Sequence, residues 1–361
     1  MNNLAIVPAN ANTLSLVPTP APAPPPPPPT TPVKGRSFMS VYEEVMQRAD
    51  DMLPDRVVHV ADLRMNNAGN LVLPGGAEYQ VNDWARKQLS SMLGLRWQKW
   101  FESASGEERA EEINRRFSRI PGEKKIRAWR SHDGRADGIA RAVLASGFSP
   151  IDEHRIFERL HTMMRGLVED YRFTTVQFTE ATSHFAAVRS EAMSIDGDVL
   201  YPGFNLRSSS TGGSALSLDD YFMRLACLNG LMLRVGGRRS LYRTHRTIED
   251  DQLAAALVIA IGRLPERWAV SFEWMRAAKR ITVPHPDDAV AAILDSAEVP
   301  KALLEEAQRV VLRESVGLST RYDVVQAITL VAHTTNTDPD VRMAMERLAG
   351  DYLAATPAEA A

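Results

Sequence analysis

Arginine side chains and one tyrosine gather around a glycine pair near residue 236. Residues 203–246 contain seven arginines and only two aspartates. A hairpin that turns at Gly236-Gly237 would bring five of these arginines together, with a tyrosine ring among them. Cations that neutralise phosphates, beside rings that stack on bases, are what the binding of single-stranded nucleic acid requires. The segment therefore predicts a nucleic-acid surface made of Arg234, Arg238, Arg239, Tyr242, Arg243 and Arg246.

A second basic segment lies at residues 113–146, where nine basic residues accompany three acidic ones. Alternation along a predicted strand places Lys125, Arg127 and Trp129 on one face. Arg141 lies on the strand that we expect to follow, and these four residues complete the predicted nucleic-acid site. The alternative interpretation is compositional bias, because the chain contains 35 arginines and only seven lysines.

The chain contains one thiol that could act as a nucleophile, that of Cys227. A reactive cysteine needs a lowered pKa and a positioned base, and His245 could be that base if its strand folds back beside the thiol. A packed, unreactive thiol is the commoner role of a single cysteine, and we expect it here. The hydroxyl-rich residues 208–214 could hold a phosphate on a flexible tip, but we expect a plain loop there. We therefore assign no catalytic residue.

Patterns that hold cofactors or metals are missing from the sequence. It contains neither a P-loop nor the glycine pattern of dinucleotide-binding folds, so we predict no cofactor. His154 and His161 lie seven residues apart without a nearby cysteine, which indicates a solvated helix face rather than a metal site. Asp196-Gly197-Asp198 is half of a calcium loop without the closing glutamate, and we interpret it as a turn. We predict no metal site.

The spacing of apolar residues predicts helices on both sides of a β-rich centre. Two strand-like runs, 124–131 and 139–146, precede a mostly β segment at residues 173–246. Residues 57–60 and 71–73 are expected to form a hairpin around the turn at 66–70. Helical patterns occur at 38–52, 81–119, after Asp152 and beyond 248, where Pro265 should kink or divide a long helix.

These elements predict an α+β fold with a central, mostly antiparallel β-sheet, flanking helices and a helical C-terminal region. Half of the 22 prolines lie in residues 1–33, which predicts a disordered proline-rich arm in front of the fold. The expected organisation is an arm at residues 1–36, an α+β core domain at 37–248 and a helical region at 249–355, packed on or beside the core.

Composition narrows the class of protein. The chain has 361 residues, a net charge of −3 and one cysteine, which excludes a uniformly basic coat protein and a disulfide framework. The longest apolar run, residues 253–262, is too short to cross a bilayer. Residues 1–33 contain no lysine or arginine, unlike the charged start of a secretory signal. We therefore expect a cytoplasmic protein with no membrane partner.

Two motifs resemble a family associated with phages and plasmids, domain of unknown function 932. The first consists of Ile126-Arg127 followed by IARAVLAS at 139–146 and SGFSPID at 146–152. The second consists of Asn205 and Ser208 followed by FMRLACLNG at 222–230. The resemblance covers roughly residues 55–335 and implies the setting of a mobile genetic element. Its β-rich centre is also similar to that of single-strand annealing recombinases.

Charge and resemblance together favour one hypothesis for the function. We expect a DNA-binding accessory protein of a phage or plasmid that engages single-stranded DNA, with strand annealing or recombination as its suggested role. A non-enzymatic assembly or anti-host-defence protein is the first alternative, and an uncharacterised enzyme is the second. A homo-oligomer is left open.

Overall fold

The computed structural model describes residues 34–95, 103–163, 170–224, 230–233, 239–244, 250–295, 299–314, 318–334 and 337–355. The predicted arm at residues 1–36 therefore lies almost wholly outside the described residues. Its last residue, Arg36, already belongs to a strand, and its side chain forms an ion pair with Glu44. Within these ranges, no helix combines the length and the apolar character needed to cross a membrane.

The first of two sheets, sheet A, is antiparallel throughout. Its strands follow the order β1-β8-β9-β11-β12-β13, while β10 pairs with β11 and β14 pairs with β12. The bounds are β1 (Arg36–Ser37), β8 (Tyr171–Phe178), β9 (Ser183–Arg189), β10 (Met193–Ile195), β11 (Asp198–Ser208), β12 (Leu216–Arg224), β13 (Gly230–Leu233) and β14 (Leu241–Arg243).

The second sheet, sheet B, is mixed and has the order β2-β6-β7-β5-β4-β3. Its one parallel pair joins β5 and β7. The bounds are β2 (Arg56–His59), β3 (Arg64–Met65), β4 (Leu71–Val72), β5 (Glu78–Val81), β6 (Glu123–Arg130) and β7 (Gly138–Ala145).

Helices lie before, between and after the two sheets. Four of the described helices come before β8 in the chain. They are α1 (Phe38–Asp50), α2 (Asp83–Met92), α3 (Gly106–Phe117) and α4 (Glu153–Met163). The C-terminal region contains α5 (Asp250–Gly262), α6 (Leu264–Ala278), α7 (Pro286–Leu294), α8 (Lys301–Glu314), α9 (Arg321–Thr334) and α10 (Pro339–Ala354). The predicted α+β class with a helical C-terminal region is confirmed.

Local sequence signals explain several of these boundaries. The Asn82 side chain accepts a hydrogen bond from the amide of Ala85 and caps α2. Ser105 and Glu108 form the reciprocal capping box that their spacing predicts at the start of α3. Pro265 occupies the first turn of α6 and separates it from α5, because its ring cannot continue a helix from the preceding turn.

The hairpin predicted for residues 57–60 and 71–73 is wrong in one partner. The turn at residues 66–70 does join two strands, but the strand before it is β3, which pairs with β4. Strand β2 instead pairs with β6, far along the chain. The prediction failed because β3 has only two residues, too few to produce an alternating pattern.

The hydrophobic core joins sheet A to the C-terminal helices. One buried cluster contains Phe204 and Phe222 of sheet A together with Trp268 and Phe272 of α6. The Trp268 indole N–H donates to the carbonyl of Gly203 at 3.0 Å. Sheet B has a separate buried cluster, which it shares with α2 and α3. The boundary predicted at 248/249 falls outside the described residues and stays a prediction.

Candidate nucleic-acid interface

The hairpin predicted around Gly236-Gly237 does not form between β13 and β14. Both strands pair with β12 instead. They lie end to end along β12, which pairs with β11 on its other side. The ladder passes from Leu233 opposite Asp220 to Leu241 opposite Leu218. Since β12 has nine residues, it is long enough to pair with both short strands. The described part of the basic segment at β14 therefore lies along one edge of sheet A and does not pair with β13.

Strand β14 presents an aromatic ring and cations at this edge. Tyr242 is 51% exposed, and Arg243 is exposed beside it. The guanidinium of Arg239 lies over the Tyr242 ring, 4.9 Å from its centroid, in a cation–π arrangement. Among the strands that the structure describes, β14 pairs with β12 alone. Arg239 and Tyr242 are in contact and Arg243 follows Tyr242 in the strand, although not through the predicted hairpin, and their role in binding nucleic acid stays a prediction.

Buried contacts fix the position of β14. Leu241 packs in the core, and the Ser240 hydroxyl donates to the Asp220 carboxylate at 2.9 Å. Arg267 of α6 donates its Nε–H to the same carboxylate at 2.9 Å. Burial raises the pKa of Asp220, and the hydrogen bond from Arg267 only partly offsets this effect. A helix and a core residue thus hold the strand that carries Tyr242.

The charge of Arg239 is partly balanced inside the protein. The Nε of Arg239 lies 3.9 Å from the carboxylate of buried Asp219, so part of its charge is balanced. Five residues that the sequence analysis singled out for the DNA surface or for thiol chemistry lie outside the described part of the chain: Arg234, Arg238, Arg246, Cys227 and His245.

The second predicted basic segment, residues 113–146, contains two cations whose partners lie within the fold. Arg127 is 3% exposed and donates to both oxygens of Asp152 at 2.8 and 3.0 Å. It also donates to Asp55 at 2.9 Å and to the carbonyl of Ser210 at 2.6 Å. The Lys125 ammonium donates to the carbonyl of Phe148 at 2.5 Å. We therefore leave Arg127 and Lys125 out of the surface proposed below.

Trp129 and Arg141 lie together inside the junction of the two sheets. The ladder pairs Arg127 with Ala142 and then Ala128 with Ala140, so Arg141 is an extra residue on β7. Such a bulge redirects a side chain relative to regular alternation. The Arg141 guanidinium lies 4.2 Å from the centroid of the Trp129 ring. Arg141 is buried and Trp129 half-buried, so the two residues do not form the open face that the sequence predicted.

Arg48 joins these two residues, although the sequence analysis missed it. Its guanidinium lies 5.2 Å from the Trp129 centroid and 4.1 Å from the Phe178 centroid. The available signal was its position on α1, three residues after the buried Val45 and hence on the same helix face. A charged residue on an apolar face indicates a buried partner.

The hydroxyl-rich segment after β11 is not an exposed tip. Ser208, Ser209, Ser210 and Thr211 are all buried, and the side chains of Ser209 and Thr211 hydrogen-bond the carbonyl of Ala181. Residues 209–215 form the predicted loop between β11 and β12, but the hydroxyl groups at its start are buried and are not presented on a flexible tip. The polar side chains are satisfied by neighbouring backbone, which a sequence of small hydroxyl residues does not reveal.

The structure also shows the surroundings of His161 and of the turn at Asp196. Within the described ranges, no three histidine, cysteine or acidic side chains are arranged to hold a metal ion. The His161 ring packs against the rings of Phe38 and Tyr42 and so is not on a solvated face. Asp196 and Gly197 both have positive φ values, 48° and 88°, and they form the turn between β10 and β11 that we predicted.

The protein has an α+β fold with two sheets, and strand β14 carries exposed side chains on sheet A. No family model, no curated protein and no solved structure matches this chain. The resemblance to the phage- and plasmid-associated family therefore depends on the two sequence motifs alone.

Proposed function

We propose that this chain is a DNA-binding accessory protein of a mobile element that engages single-stranded DNA along the β14 edge of sheet A. It would act in the cytoplasm, and strand annealing is the role that the family resemblance suggests. The observation that supports the proposal is the half-exposed Tyr242 ring, flanked by Arg239 and Arg243 on a strand fixed by the core.

Each part of this edge matches a need of single-strand binding. A base can stack on an exposed tyrosine ring whatever its identity, since every base has an aromatic face. The two guanidinium groups can neutralise backbone phosphates without reading sequence. A rigid strand lowers the entropy cost of ordering these side chains when DNA binds. Arg234, Arg238 and Arg246 are close in sequence and would add to the positive charge.

The salt dependence of binding tests the role of the arginines. Each phosphate contact with a single strand should contribute about −0.7 to the slope of log K against log salt concentration. The double variant Arg239→Ala/Arg243→Ala should therefore make the slope about 1.4 less negative and weaken all sequences alike. The measurement is the fluorescence anisotropy of a labelled single-stranded oligonucleotide over a salt series.

A matched control separates this edge from general surface charge. Arg276 and Arg309 are exposed arginines on α6 and α8, each paired with a glutamate of its own helix. The variant Arg276→Ala/Arg309→Ala removes the same charge and should keep the parent slope. The proposal fails if the parent does not bind at low salt, or if both double variants change the slope equally.

The ring of Tyr242 is tested by a second pair of variants. Tyr242→Ala should reduce affinity by about 1–3 kcal/mol, the usual contribution of one stacked base, with little change in the salt slope. Tyr242→Phe keeps the ring and should bind like the parent. The same anisotropy assay reports both variants. If Tyr242→Phe is as weak as Tyr242→Ala, the ring does not stack and the hydroxyl is responsible.

A further inference from the structure

A small cleft opens where α1, β6, β7, the first turn of α4 and the β8–β9 hairpin meet. Its lining includes Arg48, Trp129, Arg141, Glu153, His154 and Ser183. Two of these side chains are cationic and one is acidic, and the Glu153 carboxylate accepts a hydrogen bond from the Ser183 hydroxyl at 2.8 Å. The cleft therefore carries net positive charge.

Arg141 is a buried cation that forms no ion pair with any of the described residues. It is 8% exposed, and its Nη2 donates to the neutral Ser210 hydroxyl at 2.6 Å. Its Nε–H is buried and has no hydrogen-bond partner in the described part of the chain. Burial lowers the pKa of Arg141 to about 10, and the negative charge of Glu153 does not fully offset this effect. A buried charge is costly unless a partner compensates it.

Trp129 places a second unused donor in the same cleft. Its Nε1–H is also buried and finds no acceptor among the residues that the structure describes. The guanidinium groups of Arg48 and Arg141 lie 5.2 and 4.2 Å from the ring centroid, which keeps their positive charge close to it. Most buried polar groups in proteins are hydrogen-bonded, so the two unpartnered donors, one on cationic Arg141, indicate an acceptor other than the described residues of this chain.

The inner space limits the size of that acceptor. It provides about 20 Å³ for the centres of water-sized atoms, and one water needs roughly 10–15 Å³ in this measure. One or two oxygen atoms fit, whereas a nucleobase does not. Arg48 and His154 are only half-buried, so the outer part of a larger group can remain in the open mouth.

We propose that this cleft binds an oxyanion of the phosphate class, with Arg141 Nε–H and Trp129 Nε1–H as donors and Arg48 as a second cation. The ligand is either free inorganic phosphate or a terminal phosphate of a larger molecule. The site is separate from the β14 edge and does not depend on the function proposed for that edge.

Titration calorimetry of the full chain with inorganic phosphate tests the proposal, with sodium chloride at matched ionic strength as reference. We expect saturable binding of phosphate. A parallel arm compares an oligonucleotide that carries a 5′-phosphate with its 5′-hydroxyl twin. If free phosphate is the ligand, phosphate alone binds and the two oligonucleotides behave alike. If a terminal phosphate is the ligand, the 5′-phosphorylated strand binds more tightly than its twin.

Two variants link the binding to the cleft. Arg141→Met removes the charge but keeps an apolar side chain of similar length, and it should weaken phosphate binding at least about tenfold, as expected for a hydrogen bond to a charged group. Without phosphate it should melt at the same temperature as the parent or higher, because a costly buried charge is gone. Trp129→Phe keeps the ring, loses one donor and should weaken binding about two- to tenfold.

A variant of Arg130, an exposed arginine next to Trp129 on β6, is the control and should bind phosphate like the parent. The proposal is overturned if neither phosphate arm shows binding beyond chloride. It is equally overturned if Arg141→Met and Arg130→Ala bind phosphate with the same affinity.

Discussion

Arg127→Ala is expected to lower the free energy of unfolding by about 3–5 kcal/mol, the usual result of removing one partner from a buried ion pair. The side chain is almost fully buried and donates to Asp152 and Asp55 as well as to the carbonyl of Ser210. Its loss leaves the buried Asp152 carboxylate without its hydrogen-bonded cation. Urea unfolding monitored by circular dichroism measures the change.

The difference in unfolding free energy between Arg127→Ala and the parent should become smaller as the pH falls. Burial opposes ionisation of Asp152, but the hydrogen bonds and charge of Arg127 outweigh burial and hold the pKa of Asp152 below its usual value. In the parent, this contribution is present above about pH 4, the pKa of an unfolded aspartate, and is lost as the pH falls further. Without Arg127, burial alone should raise the pKa of Asp152, so the variant gains stability relative to the parent on acidification.

The control for Arg127 is Arg130→Ala on the same strand, where the side chain is exposed and the effect should stay within about 0.5 kcal/mol. Equal destabilisation by the two variants would contradict the assigned role of the buried pair. A constant difference between Arg127→Ala and the parent from pH 7 to pH 3 would contradict the assignment of Asp152.

Gly350→Ala is expected to cost about 3 kcal/mol of unfolding free energy, the upper end of the usual range for overpacking. A methyl group there would lie 1.7 Å from the carbonyl oxygen of Met232, so α10 could not keep its place against β13. The obstacle is backbone, which cannot rotate away as a flexible side chain can. Thermal or urea unfolding of the variant measures the loss.

The matched control is Gly262→Ala at the end of α5, where nothing lies within 4 Å of the added methyl group. Alanine loses less backbone entropy than glycine on folding, so this change should be neutral or stabilise by about 0.4–1 kcal/mol. If Gly350→Ala behaves like Gly262→Ala, the close packing of α10 on β13 is refuted.

Elements with a strong local signal were predictable from the sequence. The cap at Asn82, the capping box of Ser105 and Glu108 and the break at Pro265 each depend on chemistry within a few residues of one another. The α+β class followed in the same way, because the apolar period changes from helical to alternating and back along the chain.

Partners that are distant in sequence were not predictable. Adjacent alternating runs suggested that β13 and β14 pair with each other, but nothing local encodes that β12 has room for both. The bulge at Arg141 shows the same limit, since one extra residue in a ladder leaves no mark on composition. Periodicity therefore could not distinguish an arginine inside the sheet junction from one on an open face.

The candidate interface was only partly predictable for a related reason. Charge counts grouped Arg127 with Arg239 and Arg243, although Arg127 is neutralised by two carboxylates that lie 25 and 72 residues away along the chain. Tyr242 and Arg243 are exposed because both lie on a short strand whose neighbouring leucine alone faces the core, and their binding of DNA stays a prediction. Whether an arginine is exposed depends on which groups its side chain contacts in the fold. A count of charges along the sequence contains no information about those contacts.

Photocross-linking of the full chain to a single-stranded oligonucleotide that carries bromouracil tests the central claim most directly. Digestion and mass spectrometry then locate the linked peptide. If single-stranded DNA lies along the β14 edge, the main cross-link should fall on the peptide that contains Tyr242, and Tyr242→Ala should remove it. Cross-links confined to other peptides, or none under conditions in which anisotropy reports binding, would contradict the account.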